Sequence, residues 1–338
     1  MPVDREIYLE KDEPPAQRRH NLSPLDAASL RRERTRGGVS ALMSLVALGR
    51  RLREAGYRFT TITPESHARV NARAGNKRAR SLRDVFGWSR AFEPSLLPPD
   101  ILALTPVEQT AGGLVRSKVR FSTDGDAIFA HSAFPTTGSD AVFFGPDTYR
   151  YLKLLRRLRP TARRVVDVGC GTGAGGIMIA GQCREVVLAD INDLALEYAA
   201  VNAELNGVDN AVIVKSDVLR DIEGPIDLVI ANPPYLIDER ARLYRDGGGR
   251  FGEELSVSIV RQALERLEPG GRLILYTASA IVDGADTFYE AVKPLLVDGS
   301  AAYEELDPDV FGEELARPAY AKADRIAVVA LDLQKGRG

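Results

Sequence analysis

A doubly wound α/β fold, with a mostly parallel sheet covered by helices on both faces, is the architecture that the C-terminal part of this 338-residue sequence predicts. Three observations carry it: short aliphatic runs recur after residue 160, helix-like segments separate them, and the unusual residues stand where the runs end. The runs are Arg163–Val168, Glu185–Ala189, Ala211–Lys215, Ile226–Ala231 and Arg272–Tyr276, rich in Val, Ile and Leu as buried strands require. Between them lie Ala174–Gln182, Leu194–Asn206 and Ser256–Leu267; Asn206-Gly207 closes the second and Pro269-Gly270-Gly271 the third. Strands alternating with helices imply right-handed crossovers and parallel pairing. Ligands in such sheets bind beyond the carboxyl ends of the strands.

Upstream of this region the chain reads differently. At roughly 100 to 200 residues per domain its length predicts about two domains, and 44% hydrophobic residues exclude a disordered chain. The formal charge of −2 hides two opposite halves: residues 1–150 carry 23 Lys+Arg and 17 Asp+Glu, net +6, leaving 22 and 30, net −8, for the remainder. Such asymmetry fits a basic recognition module joined to an acidic one, and equally a solvated surface. Residues 1–37, rich in charge and proline, read as a partly ordered arm. From Val39 to Ala55, apolar residues recur near helical spacing, and Gly56 supplies the stop. The stretch His67–Arg90 holds seven Lys+Arg against one acid, Asp84, and runs into Phe86, Trp88 and Phe92. Basic residues beside aromatics can hold nucleic acid; the expectation preferred here is a helix with a solvated basic face whose aromatic end docks into the core. Val115–Ser122 and Ala127–Ala133 flank Thr123-Asp124-Gly125-Asp126 and predict a β-hairpin. Residues 38–140 are therefore expected to form an α+β accessory domain for substrate recognition, and residues 141–333 the α/β domain.

Two cysteines thirteen positions apart, Cys170 and Cys183, with only three His to help, match neither a disulfide framework nor paired zinc ligands, so no metal is expected. The N-terminus MPVDREIYLEKDEPP lacks the apolar core of a signal peptide, and the best apolar run, Val39–Leu48, falls short of the ~20 residues of a membrane span. A cytoplasmic protein with no membrane attachment is expected.

The first α/β strand leads into Asp167-Val168-Gly169-Cys170-Gly171-Thr172-Gly173-Ala174-Gly175-Gly176. Glycines permit a tight strand-to-helix turn and close approach of a ligand, and the helix N-terminus that follows favours a carboxylate or phosphate. Gly171, Gly173 and Gly176 fit the spacing of a dinucleotide-binding turn, so a nicotinamide cofactor is one alternative and plain helix–sheet packing another. Three aspartates discriminate. Asp190 ends the second strand, where a carboxylate can accept from both ribose hydroxyls. Asp217 ends the third, where it can accept from an adenine amino group. Asp167, before the glycines, suits an ammonium and a sulfonium better than a pyrophosphate, which it would repel.

These residues resemble the class I S-adenosylmethionine-dependent methyltransferases across roughly residues 140–331. That family's fold is Rossmann-like, a seven-stranded sheet with a reversed last strand, and Ala301–Leu306 and Arg325–Leu331 can supply the sixth and seventh strands. The resemblance implies S-adenosyl-L-methionine as cofactor, with Asp167, Gly169 and Gly171 lining the methionine end, Asp190 the ribose and Asp217 the adenine. Thr172, Gly173, Ile191 and Ser216 are expected as further cofactor contacts.

The fourth strand ends in Asn232-Pro233-Pro234-Tyr235. Two prolines fix the backbone and remove two donors, Asn232 offers a side-chain carbonyl, and Tyr235 offers a flat face. This set suits a planar NH2 group: with both hydrogens held by the Asn232 side chain and the Pro233 carbonyl, the nitrogen lone pair can be aimed at a sulfonium methyl. Asn232 thus borders both cofactor and acceptor. The motif is similar to that of amino methyltransferases acting on glutamine amides or adenine N6. Phe144-Gly145-Pro146-Asp147-Thr148 looks like the Pro-x-Thr lid of the HemK-like, release-factor glutamine methyltransferase family, implying cofactor contacts for Pro146 and Thr148. Asp246-Gly247-Gly248-Gly249-Arg250-Phe251-Gly252 resembles the Gly-Gly-x-x-Gly segment of its eukaryotic members. Tyr149 stands where a Glu is usual in that family, and no helical recognition domain is identified in residues 1–140. The acceptor is expected to be a protein glutamine, on a translation factor or ribosomal protein; an RNA amino group (adenine N6 or guanine N2) and a small-molecule amine are the alternatives.

Overall fold

The computed structural model describes residues 42–296 and 299–337. The arm expected at 1–37 lies outside the described residues. Helix α1 covers residues 42–54, buries Leu48 and Leu52, and ends at Gly56, whose φ of 69° suits a residue without a β-carbon. One continuous helix was expected within 67–90; the chain forms α2 (Pro64–Asn71) and α3 (Leu82–Phe86) instead. The reason is local. Thr63 and Ser81 each cap a helix N-terminus, and a 3-10 turn at Ala74–Asn76 separates the two. The aromatic end does dock, with Phe86 and Phe92 fully buried.

After α4 (Pro99–Leu104) come two antiparallel pairs, β1 (Val107–Gln109) with β2 (Val115–Ser117), and β3 (Val119–Asp124) with β4 (Ala127–Ser132). The expected hairpin is therefore real but shorter: Val115–Ser117 pairs backward with β1, and the Ser117 hydroxyl, bonded to both Val119 N and O, breaks the strand at Lys118. Asp124 pairs with Ala127, so the turn residues are Gly125, at φ 59°, and Asp126.

The remaining elements are α5 (Pro146–Leu158), β5 (Ala162–Val168), α6 (Ala174–Ile179), β6 (Cys183–Asp190), α7 (Asp193–Leu205), β7 (Ala211–Lys215), β8 (Leu228–Ala231), α8 (Glu254–Arg266), β9 (Arg272–Val282), β10 (Ala285–Asp286), α9 (Thr287–Val292), β11 (Gly299–Asp307) and β12 (Arg325–Lys335). The main sheet runs β11-β12-β9-β8-β5-β6-β7, with β10 paired to β9. Pairing is parallel from β9 to β7, and β12 is reversed between β9 and β11. Strand order turns back between β5 and β8, which makes their carboxyl ends the crevice of the fold.

Side chains alternate between two cores. Val165, Val186, Leu228 and Ile274 face α5 and α6, whereas Val166, Val187, Val229 and Leu273 face α8 and α9. The accessory region packs its own core against α7 through Ala195, Tyr198, Val201 and Leu205. Asn202, fully buried, fastens that contact: its amide accepts from Ala130 N (2.7 Å) and donates to Ala130 O (3.0 Å) and Thr172 O (2.9 Å). Removing it would strand buried polar groups at about 1–3 kcal/mol each. One side chain thus joins the hairpin to the glycine turn.

Candidate active site

Strand register brings the motif residues into one row. Val168 pairs with Ala189 and Ala231, and Ala231 with Leu275, so Gly169, Asp190, Asn232 and Tyr276 stand level at the carboxyl ends of four adjacent strands.

The turn after β5 has two unlike halves. At Gly169 (φ 63°) and Gly171 (φ 54°) an added β-carbon would meet nothing within 4 Å. At Gly176 it would lie 2.5 Å from Leu188 and 2.8 Å from Val186, and at Gly173 within 3.2–3.3 Å of Ile177, Leu188 and Ala199. The early glycines therefore leave a cradle; the later ones let α6 lie against the sheet. Asp190 spans the cradle rim, accepting from Gly171 N and Asn192 N at 2.9 Å each and keeping lone pairs on both oxygens. Burial raises its pKa, opposed by those amides. Asp167 accepts from Gly176 N (2.8 Å) at the first turn of α6. Burial pushes its carboxyl up to about 7, against the stabilising amide and with a further push from Asp190. The buried Thr172 gives its carbonyl to Asn202.

The turn after β8 is closed from behind. The half-buried Asn232 side chain has no hydrogen-bond partner among the described residues. Pro233 is buried and Pro234 half-buried. The loop 246–252 lies directly on this backbone: a β-carbon at Gly247 would sit 2.0 Å from Gly252 O and 2.8 Å from Pro234 O, and one at Gly252 2.3 Å from Tyr235 O. Tyr235, 9% exposed, has Phe311 and Tyr276 beside its ring, at centroid distances of 6.0 and 6.4 Å. Its hydroxyl is directed at the Asp147 carboxyl on the first turn of α5. Asp147 also accepts from Tyr276 (3.0 Å) and Arg150 (3.0 Å). Burial raises the Asp147 pKa, and Arg150 and the tyrosine hydroxyls oppose it.

Comparison with known proteins agrees with this geometry. A family model described as the methyltransferase small domain matches residues 151–282, from α5 to the end of β9. A Methanocaldococcus jannaschii protein whose name makes it a candidate protein N5-glutamine methyltransferase is 31% identical over 138 residues, 39% of this chain and 68% of that one. The chain belongs to the class I methyltransferase family. The release factor glutamine methyltransferase of Deinococcus radiodurans is 32% identical over 187 residues, 51% of this chain and 62% of the relative. The ribosomal RNA small subunit methyltransferase C of Chromohalobacter salexigens is 33% identical over 116 residues, 34% of this chain and 32% of the relative. The chain thus spans less than two thirds of the length of the latter two relatives.

The other expected site residues of this class I methyltransferase follow β6 and β7 or open α5. Ile191, beside Asp190, is 53% exposed and presents an apolar face at the strand end. Ser216 is buried and bonds Val218 O (2.9 Å) and Asp221 N (3.2 Å). The Asp217 carboxylate is held by Arg220 at 2.5 Å. Pro146 opens α5, and the Thr148 hydroxyl accepts from Gly145 N (3.2 Å) as a helix cap. Sequence reasoning missed Asp147, Tyr276 and Asn202, which act through partners remote in the chain; a Pro at the first helical position with Thr two residues on was the local sign that α5 begins there. It also missed how residues 133–145 are tied down. Asn192 donates to Asp140 O (2.7 Å), Leu243 N to Ser139 O (3.0 Å), and the Tyr244 hydroxyl to Thr136 O (3.0 Å). This segment spans from the Asp190 side of the row to the Tyr235 side.

Proposed function

We propose that the chain is an S-adenosylmethionine-dependent N-methyltransferase whose acceptor is a planar amide nitrogen, a glutamine side chain of a translation-related protein. The observation that carries it is Asn232, an amide without a hydrogen-bond partner among the described residues, level with the open glycine cradle across one strand pair. The residues present fit the cofactor. The space above Gly169 and Gly171 admits a ligand backbone, Asp190 retains acceptor capacity for two hydroxyls, and Ile191 offers an apolar face to a ring. S-adenosylmethionine supplies an electrophilic methyl group on a sulfonium.

The rest of the chemistry falls to the chain. An amide lone pair is delocalised and a poor nucleophile, so orientation must do most of the work. The Asn232 carbonyl and the Pro233 carbonyl accept the two N–H hydrogens and fix the plane of the acceptor. Pro233 and Pro234 bring no N–H to compete for those carbonyls. Tyr235, anchored through its hydroxyl towards Asp147, holds the wall of the seat. No general base is needed, because methylation makes the nitrogen acidic enough to release its proton to water. The names of relatives that act on release factors support the glutamine reading, and the name of the ribosomal RNA relative keeps an RNA amino group as the second reading.

Two measurements test this. Asn232→Ala is expected to lose methyl transfer by at least about 100-fold while cofactor affinity stays within a factor of two to three; retained turnover would refute the seat. Extract from a deletion strain, incubated with the enzyme and radiolabelled S-adenosylmethionine, should release its label on protease treatment. Release by ribonuclease would replace glutamine with an RNA base.

A further inference from the structure

We propose that the accessory region carries an RNA-binding surface, centred on Arg83 and separate from the cradle and the Asn232 seat, that takes backbone phosphates. It does not rest on the identity of the methyl acceptor.

A cavity of about 570 Å³ opens beside the β3–β4 turn, with Arg58, Thr60, Arg83, Thr123, Asp124 and Tyr149 in its wall. Behind it, Phe59 organises the cations. The guanidinium groups of Arg83 and Arg120 each lie 5.6 Å from its ring centroid, and Trp88 meets it edge-on at 5.4 Å. The carboxylates of this face are already engaged: Asp84 with Arg90 at 2.6 Å, Asp126 with Arg58 at 3.0 Å, and Asp124 with Arg156. Arg80, Arg83 and Arg120 have no ion-pair partner among the described residues. Arg120 is 2% exposed, bonded to Gly87 O (2.9 Å) and the Thr61 hydroxyl (3.4 Å), and faces no carboxylate. Burial depresses its pKa to about 10. Arg90, lowered by burial and by its neighbours Arg83 and Arg80, is compensated by Asp84. A buried cation without a carboxylate, as Arg120 is, is costly, and an anion bound near it would lower that cost.

The choice of RNA follows from extent and polarity. Arg69, Arg73, Lys77, Arg78, Arg80 and Arg83 are all exposed along one segment, and among them only Arg78 pairs with an acid, Glu93 at 3.3 Å. That is more charge than one phosphate neutralises, and it matches a phosphodiester track. A protein partner would need an apolar or aromatic anchor. The large hydrophobic residues exposed on the described chain, Met43, Ile191, Val212 and Leu243, are all outside this segment.

The test is binding of the full chain to a labelled single-stranded RNA of ~16 nucleotides across a salt titration. Affinity is expected to fall steeply with salt, and Arg80→Ala/Arg83→Ala to weaken binding about tenfold and flatten the log–log salt slope by about 1.4, two phosphates at ~0.7 each. Circular dichroism should show the variant folded, and Arg163→Ala, an exposed arginine on β5, should bind as the wild type does. Salt-independent binding, wild-type affinity in a folded double variant, or equal competition by polyglutamate or inorganic phosphate would each overturn the proposal. Asn232→Ala should bind RNA normally, so loss of methyl transfer and loss of RNA binding report separately.

Discussion

After β5 the chain leaves the sheet through Gly169 and Gly171, with open space where side chains would stand; after β8 it leaves through two prolines onto which a second loop packs within 2.3 Å of a β-carbon at Gly252. Both turns sit at the reversal of strand order, and both depend on missing β-carbons. The difference is what the absence is for. In the first turn it makes room for a ligand, and the closing contacts are deferred to Gly173 and Gly176. In the second it makes room for the protein's own backbone, so that loop 246–252 fixes the Pro234 and Tyr235 carbonyls. A cradle must stay empty to work, whereas a positioning loop must be full.

Three changes would break or sharpen this contrast. The largest concerns Asp167, at the base of the first turn. Its folded pKa, about 7, lies above the ordinary 3.8, so the stability it confers is complete below about pH 4 and is lost as pH rises through 7. The loss is on the order of 4 kcal/mol at most. Urea unfolding of the wild type relative to Asp167→Asn, measured from pH 4.5 to 8, should show the wild type losing stability with increasing pH; parallel curves would mean that the carboxyl is not held protonated. Next is Gly252→Ala. The methyl group meets the Tyr235 carbonyl at a φ of 98°, which should cost about 1–3 kcal/mol in thermal unfolding and roughly 100-fold in methyl transfer, with cofactor affinity unchanged. Normal turnover would show that the loop does not position the acceptor seat. The smallest is Gly171→Ala, whose methyl group meets no neighbour. Strain at φ 54° should cost about 1–2 kcal/mol, and calorimetry should show cofactor affinity falling about tenfold while turnover at saturation survives. Unchanged affinity would place the ligand elsewhere.

Much of the α/β half was legible because its signals are local. Ala211–Lys215 was read with its final boundaries, and Asp190, Gly171 and Asn232 could be placed at strand ends from the alternation alone. The sequence places the end of β9 at Tyr276 but the strand continues to Val282, because Ala278, Ser279 and Ala280 carry little strand propensity and are buried by pairing with β12. The basic segment was misread for the opposite reason: its composition suggested one helix, and the caps Thr63 and Ser81 divided it.

The sequence by itself determined the order of the α/β strands with helices α6, α7 and α8 between them, the glycine turn, and the Asn-Pro-Pro-Tyr turn, since each depends on neighbours within a few residues. Only the tertiary structure decided which glycines face a ligand and which face Leu188. It also brought Asp167 to Gly176 N and Tyr276 to Asp147, and left Arg80, Arg83 and Arg120 without an ion-pair partner among the described residues. Those outcomes depend on burial and on contacts between residues dozens of positions apart, which local pattern does not encode.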